Sequence, residues 1–277
     1  EVLYTSPKKE AVAKEFDRVF SLSEILDYAE HVPVEDIRFL LEGDTMNRAL
    51  ANDGLQHSFG LGAGKVLLDA NPGADFSKLP NLYAKILTCA ASDARMGGSL
   101  LPAMSTVGSG NQGITAIIPV GVFADHISAT EEQRCRAFAI SHLVTYMVKS
   151  YIGRISSTCL CAIASASGAA SSMVWLSGGD QQQMAHAIIN VISALAGQIC
   201  DGAKNACALK MGVACDQAFM AATLALNGSH AGSYDGLTED GLEGTLRNLG
   251  ELTSRTREAV DAVMIQVLNA KNGGTNK

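Results

Sequence analysis

The sequence predicts an all-α protein, a single helical domain over residues 1–277, and three observations carry that reading. Hydrophobic residues make up 47% of the chain but aromatics only 5%, with Trp175 the single tryptophan. Alanine, the best helix former, is abundant, and a core of small residues suits closely packed helices better than a β-sandwich. Both flanks of the chain carry apolar residues at helical spacings of three and four. Three stretches, Met96–Ala124, Ile155–Gly179 and Gln181–Cys200, contain no Asp, Glu, Lys or Arg, which is the composition of helices buried on all sides.

Taken in order, Ser23 is placed to cap a first helix through Glu24, Ile25, Leu26 and Tyr28. Glu35 to Leu41 presents a second apolar face through Ile37, Phe39, Leu40 and Leu41. The uncharged stretches follow, each long enough to cross a bilayer. The first holds Pro102, Pro119 and several glycines, the second is rich in serine, and the third opens on glutamines and holds His186 and Asn190. Buried helices at the centre of a soluble bundle are therefore expected, not membrane spans. Asp180 is a good N-cap for the third. Leu237 to Ala270 reads as one long helix or a broken pair, with Leu242, Leu246, Leu249 and Leu252, then Val260, Val263, Met264 and Val267, on one face. The polar tail Lys271–Lys277 is expected to fray. Turns are expected at Asn71-Pro72-Gly73, Gly97-Gly98, Ser177-Gly178-Gly179-Asp180 and Asn227-Gly228-Ser229. No fixed-period repeat interrupts this order.

Charge and cysteine content narrow the function classes. The chain has 277 residues, a net charge of −7 and a pI near 5.4. This excludes a disordered chain and weighs against general nucleic-acid binding and anionic membrane surfaces. The seven cysteines, Cys89, Cys135, Cys159, Cys161, Cys200, Cys207 and Cys215, are odd in number in a chain that is not small. Reduced thiols in a cytoplasmic setting are expected, not a secreted disulfide scaffold. No signal-peptide pattern opens the sequence, and a start at Glu1 is consistent with part of a longer protein.

Several motifs carry candidate chemistry. Gly108-Ser109-Gly110-Asn111-Gln112-Gly113 fits G-x-G-x-x-G, but no credible strand precedes it, so a dinucleotide fingerprint is rejected. An anion-holding loop of exposed backbone N–H groups and an ordinary tight turn remain equal alternatives. Gly60-Leu61-Gly62-Ala63-Gly64-Lys65 is one residue short of a phosphate loop, and Val66 stands where a Ser or Thr would hold magnesium, so that reading is also rejected. His57 just upstream reads as structural before it reads as functional. Neither a nucleophile elbow nor an H-E-x-x-H zinc motif is present.

The cysteines give a thiolate set only with help from the fold. Cys200 and Cys207, seven apart, would stand about 10.5 Å apart on a straight helix. Gly202 is placed to end a helix after Cys200 and turn the chain back. Cys161 stands at the start of an uncharged helix, where the helix dipole favours an anionic group. Three thiolates from separate segments would make an iron–sulfur or a zinc set, but on spacing alone buried cysteines acting as small hydrophobes are the stronger reading.

Ala91-Ser92-Asp93-Ala94-Arg95-Met96-Gly97-Gly98, followed by Met104-Ser105-Thr106-Val107-Gly108-Ser109-Gly110-Asn111-Gln112-Gly113-Ile114, resembles the catalytic region of the iron–sulfur L-serine dehydratase alpha-chain superfamily. The resemblance is closest to its L-cysteine desulfidase branch and runs from about Ser23 to Ala270. It implies an all-helical domain that holds a [4Fe–4S] cluster through three cysteines, matched here by Cys161, Cys200 and Cys207. Cys159 competes for the first position, and Cys89, Cys135 and Cys215 fall to the core. The implied reaction is pyridoxal-free β-elimination from a small L-amino acid, L-cysteine giving pyruvate, ammonia and sulfide. Loop chemistry and resemblance together make Ser105, Ser109, Asn111 and Gln112 candidate substrate or cluster contacts. The desulfidase-type relatives also carry an N-terminal region with a Cys-Thr-Glu-Pro-like motif whose cysteine is thought to act as the base. No such motif is found here, so the base is expected from a complementary N-terminal region or chain. A homodimer is a further expectation of the resemblance.

Three other readings stand beside this one. An L-serine dehydratase alpha domain would use the same residues on a hydroxyl leaving group. A non-catalytic helical domain for binding or assembly would use none of them. A zinc protein would use the thiolates alone.

Overall fold

The computed structural model describes residues 19–153 and 155–273, and among these it forms eleven helices and no strands. The opening residues 1–18 and the end of the tail, 274–277, lie outside the described residues. Helix α1 is Leu22–His31, α2 Val34–Ile37, α3 Leu40–Gln56 and α4 Ala63–Asp69. Helices α5 (Pro80–Gly97), α6 (Gly110–His126), α7 (Glu131–Ile152), α8 (Leu160–Leu176), α9 (Gln181–Leu195) and α10 (Cys207–Leu226) form the body, and α11 is Leu242–Gly273.

Local chemistry sets several helix starts. Thr130 with Gln133, and Asp180 with Gln183, close reciprocal capping boxes at α7 and α9, each satisfying two otherwise orphaned backbone donors. The first helix is capped by Ser21 with Glu24 and not by Ser23. The sequence offers serine at both positions, but only Ser21 has a glutamate three residues on. The second expected apolar face is divided between α2 and the start of α3. Phe39 stands at the junction and is 56% exposed, while Ile37 and Leu40 are buried.

Helix α8 is the centre. It packs against α6, α7, α9 and α10, and nearly every one of its residues is buried. Its small residues permit this. A Cβ built on Gly168 would stand 2.3 Å from the Ser141 carbonyl oxygen of α7, so the two helices run backbone to backbone. Three of its four seryl hydroxyls donate to nearby carbonyls, as in Ser172 Oγ to Ala137 O at 2.9 Å and Ser167 Oγ to Ile163 O at 2.9 Å, while Ser165 Oγ is buried without a partner. A second apolar cluster joins α3, α5 and α6 through Leu50, Ala90, Ile114 and Ile118. Gly54 of α3 presses on the Ala90 backbone, where an added Cβ would meet the carbonyl oxygen at 2.1 Å.

Residues 242–273 form one continuous helix, not a broken pair, and it begins after Leu237. Its first half buries Leu246, Leu249 and Thr253 and packs on α7 and α9. The second half departs from expectation: Val263 and Val267 are exposed, as are Ile265 and Leu268. Helix α10 is long and apolar enough to cross a membrane by length and composition, and half of its most apolar window is buried inside the protein.

Candidate active site

The stretch Met104–Gly113 folds into a two-residue hairpin turn that runs directly into α6. Thr106 and Ser109 exchange both backbone hydrogen bonds at 3.1 Å. Val107 and Gly108 between them have φ of +47° and +80°. Positive φ at both central positions is the requirement of the turn type that suits right-twisted hairpins, and it normally selects Asn or Gly. Ser109 then caps α6 through the Gln112 N–H. The G-x-G-x-x-G pattern is thus a tight turn followed by a helix start.

Four elements hold this turn. From α3, buried Asn47 clasps its two ends: it accepts from the Met104 N–H at 3.0 Å and donates to Gly113 O at 3.2 Å. Gly113 has to be glycine, because a Cβ there would fall 1.8 Å from Met104 O. From α7, His142 Nδ1 shares a 2.7 Å hydrogen bond with Thr106 Oγ1, and Lys149 Nζ donates to Val107 O at 2.7 Å and to Gln112 Oε1 at 3.2 Å. From α5, Arg95 donates to Asn111 Oδ1 at 3.2 Å, while Asn111 Nδ2 faces Met96 Sδ at 3.4 Å. From α8, Cys161 Sγ lies 3.4 Å from Ser109 Oγ.

Cys161, Cys200 and Cys207 are the three partly exposed thiols; Cys89, Cys135, Cys159 and Cys215 are buried, and all seven are free. Cys161 is the second residue of α8 and Cys207 the first of α10. Cys200 does not close a helix, because α9 ends at Leu195. It lies instead in a short extended pairing, with Cys200 N–H donating to Ser157 O at 2.8 Å and Cys159 N–H to Gln198 O at 2.7 Å. Gly202 supplies the turn that follows, with φ of +90°. Lys204 and Lys210 both pair with Asp201, fixing the segment between the two cysteines. Partial burial pushes the Asp201 carboxyl up, but these lysines hold it at about 2.

Burial pushes the Cys161 thiol up. The Ser109 hydroxyl and the Lys149 charge act the other way, while Cys207 and Cys200 lie within electrostatic range and raise it further. Cys161 and Cys207 thus stand at the starts of α8 and α10, and Ser109 at that of α6, helix ends whose N–H groups favour negative charge. Among the described residues no three Cys, His, Asp or Glu side chains are gathered at the spacing of one metal ion. A single zinc draws its thiolates to about 2.3 Å from itself, whereas a four-iron cluster takes each thiolate on a different iron and spreads them more widely. Three thiols on separate segments are the kind of donor set that a [4Fe–4S] cluster takes.

The sequence-predicted contacts separate by position. Ser109 stands against Cys161. Asn111 is 4% exposed, with both side-chain polar atoms engaged by α5. Gln112 is 1% exposed and turned under the loop to Lys149, which makes it a support. Ser105 is exposed on the rim. Asn47, His142 and Lys149 belong to no motif, and Arg95, which stands in the Ala91–Gly98 segment that carries the resemblance, is assigned no role there. The phosphate-loop-like segment is filled from within: Leu61 and Gly64 N–H groups donate to the Asp93 carboxylate at 3.1 Å each. His57 is at the surface, paired with Asp53 at 2.7 Å.

Comparison with known proteins identifies relatives across most of the chain. A UPF0597 protein of Desulforapulum autotrophicum is 42% identical over 236 residues, covering 85% of this chain and 53% of the relative. One of Desulfotalea psychrophila is 39% identical over 264 residues, covering 95% of this chain and 61% of the relative. One of Aeromonas hydrophila is 40% identical over 254 residues, covering 92% and 58%. The chain thus spans between 53% and 61% of the length of these relatives. The family model described as serine dehydratase alpha chain matches residues 4–266, nearly the whole sequence, and the chain belongs to the serine dehydratase alpha chain family.

Proposed function

We propose that this chain is the cluster-binding part of a lyase that removes the β-substituent of a small L-amino acid, with L-cysteine as substrate. The reading rests on Cys161, Cys200 and Cys207 being the three partly exposed thiols, with Cys161 and Cys207 in the first turns of α8 and α10 and Cys200 in the extended segment after α9. These residues would hold a [4Fe–4S] cluster. With three protein thiolates such a cluster keeps one iron open as a Lewis acid toward the leaving group.

The chain's own residues supply binding and orientation. Ser109 orients the Cys161 side of the site, Asn111 fixes the guanidinium of Arg95 over the turn, and Lys149 places a buried positive charge beneath it. A base takes the α-proton, the β-carbon–sulfur bond breaks, and sulfide leaves with a proton. The aminoacrylate then takes up water and releases ammonia and pyruvate. The base is assigned to a region outside this chain, in keeping with the greater length of the relatives. L-Serine is the alternative substrate, favoured by the family description, with water as the leaving group.

Anaerobic reconstitution with iron and sulfide tests the reading. The parent protein is expected to hold four irons, and Cys161→Ser, Cys200→Ser and Cys207→Ser each to lose them. A substrate panel on the full-length protein then separates L-cysteine from L-serine. A parent that takes up no iron, or three substitutions without effect, would leave a helical binding or assembly domain as the better description.

A further inference from the structure

We propose that Arg95 is the anchor for the α-carboxylate of the substrate, an assignment that rests on the lyase reading above. Arg95 is an exposed residue in the last turn of α5. Among the described residues it pairs with no carboxylate. Its polar contacts are neutral: Asn111 Oδ1 at 3.2 Å and Met96 Sδ at 3.4 Å, both from Nη1. An arginine beside a polar site, without an acidic partner and held by a neutral amide, keeps its charge available for an incoming anion.

Its position is built into the backbone. A Cβ on Gly110 would meet Arg95 Nε at 2.3 Å, so the guanidinium lies directly on the first residue of α6 and the absent side chain makes its seat. Gly110 follows Ser109, whose hydroxyl is 3.4 Å from Cys161 Sγ. One residue of chain therefore separates the cation from the thiol-bearing side of the site. A small amino acid has its carboxylate and its β-heteroatom on either side of one Cα–Cβ bond. With the carboxylate on Arg95, the β-heteroatom falls toward Cys161. The planar guanidinium suits two-point carboxylate binding in a way that a lysine does not. A substrate with a neutral amide in place of the carboxylate is disfavoured by the same arrangement.

The experiment uses the full-length protein, reconstituted anaerobically, with L-alanine as a non-reacting ligand and L-alaninamide as its uncharged counterpart. Calorimetry gives Kd for both, and steady-state turnover of L-cysteine and L-serine gives KM and kcat. Arg95→Gln is expected to weaken L-alanine binding and raise KM by between about tenfold and a hundredfold, the range for a charge-assisted hydrogen bond. Its kcat is expected to stay within a few-fold of the parent and its iron content to match. Arg95→Lys is expected to fall between the two. L-Alaninamide is expected to bind the parent as weakly as L-alanine binds Arg95→Gln, a comparison that needs no variant of its own to fold. Active parent protein with Kd and KM unchanged in Arg95→Gln would overturn the role of Arg95 alone, as would equal affinity of the parent for acid and amide. Loss of iron in Arg95→Gln would make it a support of the turn and overturn the assignment. A parent that binds and turns over no amino acid would overturn the lyase reading, and this assignment with it.

Discussion

Lys149 Nζ donates a 2.7 Å hydrogen bond to the carbonyl oxygen of Val107, a β-branched residue held at φ +47°. Lys149 is 4% exposed, so an ammonium group has been taken out of water to reach this carbonyl and Gln112 Oε1. Removing one partner of a buried hydrogen bond strands the other, at a cost of about 1–3 kcal/mol, and Lys149→Met would leave Val107 O and Gln112 Oε1 without this donor. Lys149→Met is therefore expected to lower the melting temperature and to raise amide hydrogen exchange at Thr106 and Ser109, which protect one another across the turn. Unchanged exchange there would show that Asn47 and His142 hold the turn without Lys149.

Val107 itself carries strain. A non-glycine residue in the left-handed region costs roughly 1–2 kcal/mol, and the β-branched side chain makes valine a poor choice there. Asn tolerates this conformation and is the favoured residue in such turns. Val107→Asn is therefore expected to stabilise the protein by about 1 kcal/mol in denaturant unfolding. A loss of stability would mean that the valine side chain makes packing contacts worth more than the strain it bears.

His142 gives the turn a pH dependence. Burial pushes its imidazole down to about 4 from the usual 6.5, and its Nε2 is buried without a partner. The unfolded chain therefore binds a proton between pH 6.5 and pH 4 that the folded chain refuses. Stability is fully present above pH 6.5 and is lost as pH falls, by up to about 1.4 kcal/mol per unit. His142→Gln keeps a polar partner for Thr106 and does not titrate, so its stability is expected to be flatter across that window. Parallel unfolding curves for the two proteins from pH 7 to pH 4.5 would sink this account.

Much of the architecture was legible in the sequence because it is written in local chemistry. The uncharged, small-residue run through Ala162 and Gly168 could only be a helix surrounded by others, and α8 is that helix. Asp180 marked a helix start by capping chemistry alone. The site was less legible, because its supports are distant in sequence and ordinary in type. Asn47, His142 and Lys149 reach the turn from α3 and α7 with no motif to mark them. Ser23 and Ser21 are alike in type, and only the glutamate three residues after Ser21 makes it the cap. Val263 and Val267 share the helical period of Leu246 and Leu249, yet periodicity says only which face is apolar, not whether anything covers it.

Asn111 joins the turn to α5, with its oxygen on Arg95 and its nitrogen on Met96. It is distant in role from the thiols, which Ser109 alone contacts from this turn. Asn111→Ala is expected to release Arg95, raise KM and so lower kcat/KM, with kcat within a few-fold of the parent, and to leave the iron content of the reconstituted protein unchanged. Equal kinetics to the parent would remove Asn111 from the site.

The choice between Cys159 and Cys161 can be settled by the contrast in their surroundings. Cys159 is 5% exposed, and burial pushes its thiol up to about 12. It occupies the N-cap of α8 but makes no side-chain capping bond. Cys161, two residues on, is partly exposed and touches Ser109. Serine is among the best N-cap residues, and a capping hydroxyl is worth about 1 kcal/mol. Cys159→Ser is therefore expected to fold with stability within about 1 kcal/mol of the parent and to keep its iron. Cys161→Ser is expected to fold as well and to lose the iron. The reverse pattern would move the first ligand to the N-cap itself.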